Sequence, residues 1–315
     1  MEVSSIKLNG TAYEVKDSQA REAFTRINAV TSAWIPRIVT GSGSLIVPSA
    51  SSGNLIFAPD CTAVGDYSLA YALMGSTGLV KVDLSKVKNA SSYAMQYAFY
   101  GCSNLVEVDF SGLEYLGASR AFYYAFAYCS KLKSVVFPRL GRATADYVFY
   151  YAFNYSGLTT AEFPALTYIC GNSPFYGAFM NCASLTSVSF PELVSIGYNG
   201  TSASAATVTG SGHFASAFAN TPGVKTLSFP KLARIYSSGT SATSAVFYNC
   251  AKLEVINLPA LTTLSGAGAK YLFNNCSALR EIHFGAANET AIRASEGFST
   301  LWGRGAGAAT VYFDL

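Results

Sequence analysis

Apolar residues follow a repeating pattern along this 315-residue chain, and the repeat determines which fold is expected. One marker is the apolar residue that ends an Ala-Phe unit or a variant of it; it recurs at Leu73, Phe99, Phe126, Phe153, Phe179, Phe218, Phe247 and Phe273. A second marker closes an alternating apolar run; it recurs at Leu84, Phe110, Phe137, Phe163, Phe190, Phe229, Leu258 and Phe284. Because both series advance together in steps of 26 to 39 residues, the period belongs to a structural unit.

Each unit contains one short strand. The runs LVEVDF, LKSVVF, LTSVSF and LEVINL carry apolar residues at their first, fourth and sixth positions, and the last two positions have the spacing of a strand. A proline, whose missing N–H ends strand pairing, follows at Pro138, Pro164, Pro191, Pro230 and Pro259. A turn with two more inward residues, such as Leu166 and Ile169, comes next. Since a lone strand cannot bury its apolar face, we expect the units to stack into a right-handed solenoid with a parallel β-sheet.

The phrase AFxxCxxLxxVxFPxLxxI, repeated over residues 45–285, resembles the BspA-type leucine-rich repeat of bacterial surface proteins. The resemblance implies a curved leucine-rich-repeat solenoid over residues 41–285. It also implies a sheet on the concave side and irregular or short helical return segments between the strands. In function, it implies adhesion and binding to proteins or host surfaces rather than catalysis.

A cysteine recurs within these units and raises the question of a metal, redox or disulfide site. Five of the seven cysteines share one repeat column: Cys102, Cys129, Cys182, Cys250 and Cys276. Ser156 and Thr221 replace cysteine in two other units, and Thr77 is assigned to the column in the first. A column that accepts Cys, Ser or Thr favours a small residue packed in the core, and the close pairs typical of metal sites are missing. A disulfide between stacked neighbours is the less favoured alternative, because the count is odd and burial is expected.

Composition and charge argue against binding to nucleic acid and against insertion into a membrane. Charged residues make up 12% of the chain and the net charge is +3, and no Lys/Arg cluster suggests nucleic-acid binding. No apolar run reaches 18 residues, so we expect no transmembrane helix and no membrane insertion. The polar start MEVSSIKLNGTAYEVKD lacks the apolar run of a signal peptide, so secretion by that route is not expected of the sequence as written.

Candidate catalytic chemistry is sparse. The two histidines, His213 and His283, have no acid and nucleophile placed with them, and no GxSxG, HExxH or P-loop pattern occurs. GRGAGA, at residues 303–308, lacks the flanking strand and helix of a dinucleotide fingerprint. One outward strand column carries the carboxylates Asp83, Asp109 and Glu162. An acid pair or a cation ladder is one interpretation of that column, and a mixed, solvated face is the favoured one. We therefore predict no enzymatic activity, no cofactor and no metal.

The two ends of the chain depart from the repeat. Residues 6–15, IKLNGTAYEV, place two strand-like runs around Asn-Gly, which favours a type I′ hairpin. The following DSQAREAFTRINAV predicts a short amphipathic helix. This hairpin and helix resemble the N-termini of phage and prophage tail and fibre proteins, which implies that residues 1–40 serve attachment or oligomerisation. Residues 286–315 are predicted to form a cap of one helix and one strand that seals the last unit.

Tyrosines cluster in the segments that return from one strand to the next. An aromatic ladder between units is favoured for the regular column two residues before the first marker: Tyr71, Tyr97, Tyr124, Tyr151 and Tyr271. Two interpretations, stacking and exposure for ligand binding, stay open for the less regular ones: Tyr93, Tyr100, Tyr123, Tyr128, Tyr147, Tyr150, Tyr155 and Tyr176. Tyrosine mixed with Ser, Gly, Ala and Asn is typical of paratopes. The Gly/Ser/Thr/Ala-rich insertion from Tyr198 to Gly212 is expected to protrude as a loop.

Two hypotheses about function follow. The first is a non-enzymatic receptor-binding protein of a phage or prophage tail, located in the virion, homotrimeric through residues 1–40 and contacting a bacterial surface glycan or protein. The second is a BspA-like adhesin of the bacterial cell surface that binds host protein or glycan. In both, we predict that the tyrosine-rich return segments carry recognition, because the outward residues of the strands are short or charged and offer few anchors.

Overall fold

A computed structural model of the chain describes residues 5–8, 11–14, 53–56, 62–199, 207–208, 210–238, 246–266, 271–295, 298 and 309–315. These residues form a parallel β-solenoid of about eight coils with very little helix. This architecture confirms the repeat solenoid that the sequence predicts.

The strands, in chain order, are β1 Ser5–Leu8, β2 Thr11–Glu14, β3 Gly53–Ile56, β4 Ala63–Val64, β5 Leu79–Asp83, β6 Asn89–Ala90, β7 Glu107–Asp109, β8 Tyr115–Leu116, β9 Ser134–Val136, β10 Arg142–Ala143, β11 Thr160–Glu162, β12 Tyr168–Ile169, β13 Ser187–Ser189, β14 Ser195–Ile196, β15 Tyr198–Asn199, β16 Thr207–Val208, β17 Thr226–Ser228, β18 Arg234–Tyr236, β19 Val255–Leu258, β20 Thr263–Ser265, β21 Glu281–Phe284 and β22 Thr310–Phe313. The described ranges contain one α-helix, α1 (Glu289–Arg293), which follows a 3-10 turn at Ala286–Asn288. Each complete coil runs through three segments, and each segment stacks on its equivalents in the neighbouring coils. The stacks form three long faces of the solenoid.

The strand face consists of β3, β5, β7, β9, β11, β13, β17, β19, β21 and β22, which contain the alternating apolar runs. Its paired strands are parallel; Thr160, for example, pairs with Ser187. In the three-residue strands β9 and β17 the middle residue points inward and its two neighbours point to solvent. The strands end before the prolines, as predicted; β11, for example, ends at Glu162, two residues before Pro164. Among the described strands the pairing is interrupted twice, between β7 and β9 and between β13 and β17.

The bridge face is a single parallel sheet of eight very short strands, β4, β6, β8, β10, β12, β14, β18 and β20. The sequence predicts only a turn in this segment. It forms a strand because Ile169, the inward residue, is anchored in the core, which brings its backbone into register with Ile196 of the next coil. The burial predicted for Leu166 and Ile169 is confirmed.

The turn face is formed by the return segments 65–76, 91–102, 118–129, 145–156, 171–182 and 210–221. Successive backbone N–H groups of this face donate alternately to a carbonyl of the next coil and to a carbonyl of their own turn. The Tyr97 N–H donates to the Tyr123 carbonyl of the next coil at 2.9 Å, and the Ala98 N–H donates to the Met95 carbonyl of its own turn at 3.0 Å. These return segments contain no helix, and their turns repeat in register from coil to coil.

Phenylalanine rings form columns inside the solenoid, in which each ring contacts the equivalent ring of the next coil. Phe99 stacks on Phe126 of the next coil with 5.0 Å between ring centroids, and Phe137 stacks on Phe163 at 4.9 Å. All four rings are fully buried. Burial of one such side chain stabilises a fold by about 1.5–3 kcal/mol. The stacks repeat the same interior in each coil and help to hold successive coils in register.

The described parts of the two ends match the predicted elements. β1 and β2 pair antiparallel with Leu8 opposite Thr11, which confirms the hairpin, and α1 with β22 confirms the C-terminal helix and strand. The predicted N-terminal helix lies outside the described residues, and the domain boundaries at residues 40 and 285 stay predictions. The insertion begins and ends in the antiparallel pair β15 and β16, and residues 200–206 between them lie outside the described part. No helix in the described ranges has the length and apolar character needed to cross a membrane.

Candidate binding surface

The turn face has an unusual backbone conformation. Three equivalent positions in each of the six return segments have a positive φ, for example Tyr93 (57°), Tyr97 (52°) and Gly101 (71°). Tyr93 is the third residue of a turn closed by the bond from Ala94 N–H to Ser91 O, which is the position where a type II turn requires a positive φ. For residues with a Cβ other than asparagine and aspartate, this conformation costs roughly 1 kcal/mol or more.

Large side chains nevertheless occupy these positions in the earlier coils. They are Tyr67, Tyr71, Tyr93, Tyr97, Arg120, Tyr124, Tyr128, Tyr147, Tyr151 and Tyr155. Smaller residues occupy the equivalent positions in the later coils: Ser173, Gly177, Asn181, Gly212, Ser216, Asn220, Asn249 and Asn275. Since the same backbone forms with Gly, Ser or Asn, the turn itself does not require tyrosine. The tyrosines must therefore be explained by what their rings do.

The rings stack from coil to coil in ladders. The ladders are Tyr71–Tyr97–Tyr124–Tyr151, Tyr123–Tyr150–Tyr176, Tyr67–Tyr93 and Tyr128–Tyr155. In the two longest ladders the stacked centroids lie 4.9 to 5.1 Å apart. Edge contacts join neighbouring ladders, as between Tyr97 and Tyr123 at 5.8 Å. We call the continuous surface of these rings, together with Tyr100 and Tyr147, the tyrosine face.

All eight tyrosines that the sequence singles out lie on the tyrosine face, but they do not form a separate exposed group. Only Tyr128 and Tyr155 among them are exposed, at 41% and 49%; the other six are half-buried. Of the two interpretations left open for these residues, stacking applies to Tyr123 and Tyr150, which stack as regularly as the predicted ladder. Conversely, Tyr71 of that ladder is 52% exposed.

Stacking determines which atoms the tyrosine face presents to solvent. Within a ladder, each inner ring has both of its flat faces covered by neighbours, so these flat faces are not open to a ligand. Burial against neighbouring rings raises the pKa of Tyr97 and of Tyr150 to about 12. These hydroxyls therefore stay protonated at neutral pH, where each can donate and accept hydrogen bonds.

Arg120 interrupts one tyrosine column, and sequence reasoning missed it. It occupies the position of Tyr93 and Tyr147 in the adjacent coils, and its guanidinium carbon lies 5.2 and 4.7 Å from their ring centroids. Its Nη1 donates to the Tyr93 hydroxyl at 2.5 Å. The signal that could have revealed it is the repeat column itself, which places a lone arginine in line with tyrosines.

The tyrosine face ends at the fifth return segment. An added Cβ at Gly177 meets the Tyr151 ring at 2.5 Å, so the last ring of the longest ladder covers this glycine. Beyond it, a column of asparagines continues the stacking with side-chain hydrogen bonds, such as Asn181 Nδ2 to Asn154 Oδ1 and Asn220 Nδ2 to Asn181 Oδ1. An amide ladder, which is polar and compact, thus borders the aromatic surface.

The strand face offers a different chemistry. Its outward residues are the predicted mixture of charged and short side chains: Lys81, Glu107, Ser134, Thr160, Ser187 and Thr226. Asp83 and Asp109 lie in register on adjacent strands, and each accepts a hydrogen bond from a backbone N–H two residues ahead. A cleft of about 300 Å³ lies where β7 and β9 do not pair, and Val106 and Val136 line it. The carboxylate column therefore belongs to a mixed, solvated face.

The cysteine column has a structural role. Cys102, Cys129, Cys182, Cys250 and Cys276 are fully buried, which confirms the predicted packing. The Cys129 thiol donates to the Phe99 carbonyl of the preceding coil at 3.2 Å, and the Thr221 hydroxyl donates to the Phe179 carbonyl at 2.9 Å. This shared bond explains why Cys and Thr interchange, whereas the Ser156 hydroxyl lies 3.3 Å from the Cys182 thiol of the next coil. The first coil needs a correction: Ser76 fills the slot and is buried, whereas Thr77 is exposed. In the described ranges, no three His, Cys, Asp or Glu side chains are grouped as metal ligands.

The chain is similar to several known proteins. The family model described as BspA type leucine rich repeat region (6 copies) matches residues 23–152, 69–177, 150–207 and 215–296. A search of curated proteins finds no match.

Solved structures of other proteins are also similar to parts of the chain. A leucine-rich repeat protein from Bacteroides ovatus is 18% identical over 84% of this chain and 72% of that chain, with a TM-score of 0.31. The T. pallidum leucine rich repeat protein is 17% identical over 80% and 94%, with a TM-score of 0.32. A leucine rich cell surface protein from Faecalibacterium prausnitzii is 17% identical over 98% and 86%, with a TM-score of 0.23.

The family model covers most of the chain, and its matches span the coils described above. The chain therefore belongs to the BspA-type leucine-rich repeat family.

Proposed function

We propose that this chain is a non-enzymatic recognition protein that adheres to a cell surface through its tyrosine face. The observation that carries the proposal is the presence of tyrosine at left-handed backbone positions that Gly, Ser and Asn fill in other coils. The turn alone favours the smaller residues. Ring stacking, at about 0.5–1.5 kcal/mol for each pair, only offsets the backbone cost. Contact with a ligand supplies a reason for large amphipathic side chains, as it does in paratopes.

A surface glycan is the ligand class that we propose. The stacked rings of the ladders recur about every 5 Å between centroids, and one sugar unit of a polysaccharide has a similar length. Hydroxyl groups that both donate and accept suit polyhydroxylated polymers. Exposed rings such as Tyr128 and Tyr155 add an apolar contact for sugar rings. A protein ligand is the second candidate, because members of this family are associated with protein binding.

The proposal is tested with matched double variants assayed on a panel of bacterial cells, epithelial cells and mucin. Changing Tyr123 and Tyr150 to Ala is expected to abolish binding while circular dichroism at 20 °C stays unchanged. Changing Thr160 and Ser187 to Ala, on the strand face, is expected to leave binding intact. The opposite pattern places the binding site on the strand face and overturns the proposal.

Adhesion is compatible with a phage tail protein and with a bacterial surface adhesin. Oligomerisation through residues 1–40 distinguishes the two. A phage or prophage tail protein is supported by the resemblance of the first 40 residues, whose hairpin strands β1 and β2 are described. A BspA-like adhesin of the bacterial cell surface is supported by the family itself. Molar mass in solution, measured with and without residues 1–40, is expected to show a trimer that dissociates on truncation in the first setting. A monomer in both forms favours the second.

A further inference from the structure

We infer that the tyrosine face contains an anion-binding subsite at Arg120, which recognises a carboxylate or sulfate group on an acidic sugar. This inference rests on the proposed function and names the ligand more narrowly. Arg120 is the one Lys or Arg residue in the six segments that define the turn face. It lies in the third position of a column that begins with Tyr67 and Tyr93 and continues with Tyr147.

The guanidinium of Arg120 is held in a fixed orientation. Tyr93 and Tyr147 belong to the preceding and the following coil, and the guanidinium carbon lies between their rings, 5.2 and 4.7 Å from the two centroids. The Tyr123 ring lies at 6.0 Å. One N–H group is used by the Tyr93 hydroxyl. The remaining N–H groups lie at the edge of the guanidinium plane, where a carboxylate or sulfate can accept two parallel hydrogen bonds.

This positive charge has no anionic partner within the described part of the chain. None of the ion pairs there includes Arg120. The two carboxylates of the turn face are used elsewhere. Asp66 accepts the Ser92 N–H at 2.9 Å, and Asp146 accepts the Asn172 N–H at 2.7 Å. An ordered, unpaired guanidinium among aromatic rings lowers the entropic cost of binding an anion and leaves its charge available.

This arrangement predicts that one sugar unit contacts both the tyrosines and Arg120. An acidic sugar contacts tyrosine rings and hydroxyls with its ring, and its anionic group reaches Arg120. A neutral sugar of the same shape keeps the first contacts and loses the second. Charge-assisted bonds of this kind are roughly twice as strong as neutral ones, so the preference for the acidic form is expected to be at least tenfold.

The variant Arg120→Tyr removes the positive charge and introduces a side chain that the fold already accepts in this column. Tyrosine already occupies this column at Tyr67, Tyr93 and Tyr147 with φ between 53° and 59°, and Arg120 has φ 59°. The variant therefore completes a ladder that the fold accepts. Binding is measured to uronic-acid, sialic-acid and sulfated oligosaccharides, each paired with its esterified, reduced or desulfated neutral counterpart.

The wild type is expected to bind at least one acidic member ten or more times tighter than its neutral counterpart, and added salt is expected to weaken that binding. Arg120→Tyr is expected to erase the preference while binding to the neutral counterpart is kept. Equal binding within every pair, no binding to any acidic member, or a preference that persists in Arg120→Tyr overturns the inference. Loss of cell binding in the Tyr123 and Tyr150 variant reports on the proposed function independently of these outcomes.

Discussion

At the residue scale, the cysteines are core side chains that donate a hydrogen bond along the solenoid. Burial raises the pKa of the Cys102 thiol to about 12 and that of Cys182 to about 11. The reactive species with thiol reagents is the thiolate, which is therefore scarce at neutral pH. We expect these thiols to react slowly in the native protein and quickly after denaturation. Rapid labelling of the described cysteines under native conditions, followed by mass spectrometry, would contradict the core assignment.

The stacked tyrosines make stability depend on pH at the alkaline end. Mutual burial raises the pKa of Tyr97 and Tyr150 to about 12, from an ordinary value of 10.0. Because the fold favours the neutral form, this contribution to the free energy of unfolding is complete below pH 10 and is lost as the pH rises through about 12. Unfolding midpoints measured from pH 8 to 11.5, with tyrosinate absorbance recorded in parallel, are expected to fall above pH 10. Tyrosinate formation near pH 10 without a change in the midpoint contradicts this prediction.

At the element scale, the ladder Tyr71–Tyr97–Tyr124–Tyr151 combines an unfavourable backbone conformation with a favourable ring stack. Tyr151 has φ 51°, whereas Tyr150 beside it does not have a positive φ. Asparagine tolerates the left-handed region and alanine does not. We expect Tyr151→Asn to be more stable than Tyr151→Ala by about 1 kcal/mol, as measured by urea unfolding. The matched pair at Tyr150 provides the control, since Asn has no such advantage there. An equal difference at both positions would show that backbone strain is not involved.

The return segments also show where sequence reasoning stops at this scale. The repeat column correctly predicts that Tyr97 and Tyr124 stack, because residues at the same repeat position meet in adjacent coils. It cannot reveal that Tyr123 and Tyr150 stack equally well, because that column contains tyrosine in only three coils and its regularity is hidden. Positive φ values are invisible in the sequence when tyrosine, rather than glycine, occupies the turn.

At the scale of the whole molecule, periodicity determines most of the fold. The spacing of Phe99, Phe126 and Phe153 predicts parallel coils, and the proline after each strand predicts where pairing ends. The bridge face escapes prediction because its strands contain only two or three residues, too few for an alternating pattern to be recognised. Which residues meet the ligand is harder to predict than the fold, because rings in a stack and rings in contact with solvent have the same sequence pattern.

The central claim is that the tyrosine face, rather than the other two faces, meets the ligand. Exposed tyrosines exist on all three faces: Tyr155 on the turn face (49%), Tyr115 on the bridge face (47%) and Tyr312 on the strand face (38%). The most direct test is oxidative footprinting of these tyrosines by mass spectrometry, with the protein free and bound to the cells or mucin that it recognises. We predict that Tyr155 becomes protected several-fold while Tyr115 and Tyr312 do not. Protection of Tyr312 with Tyr155 unchanged would contradict the account.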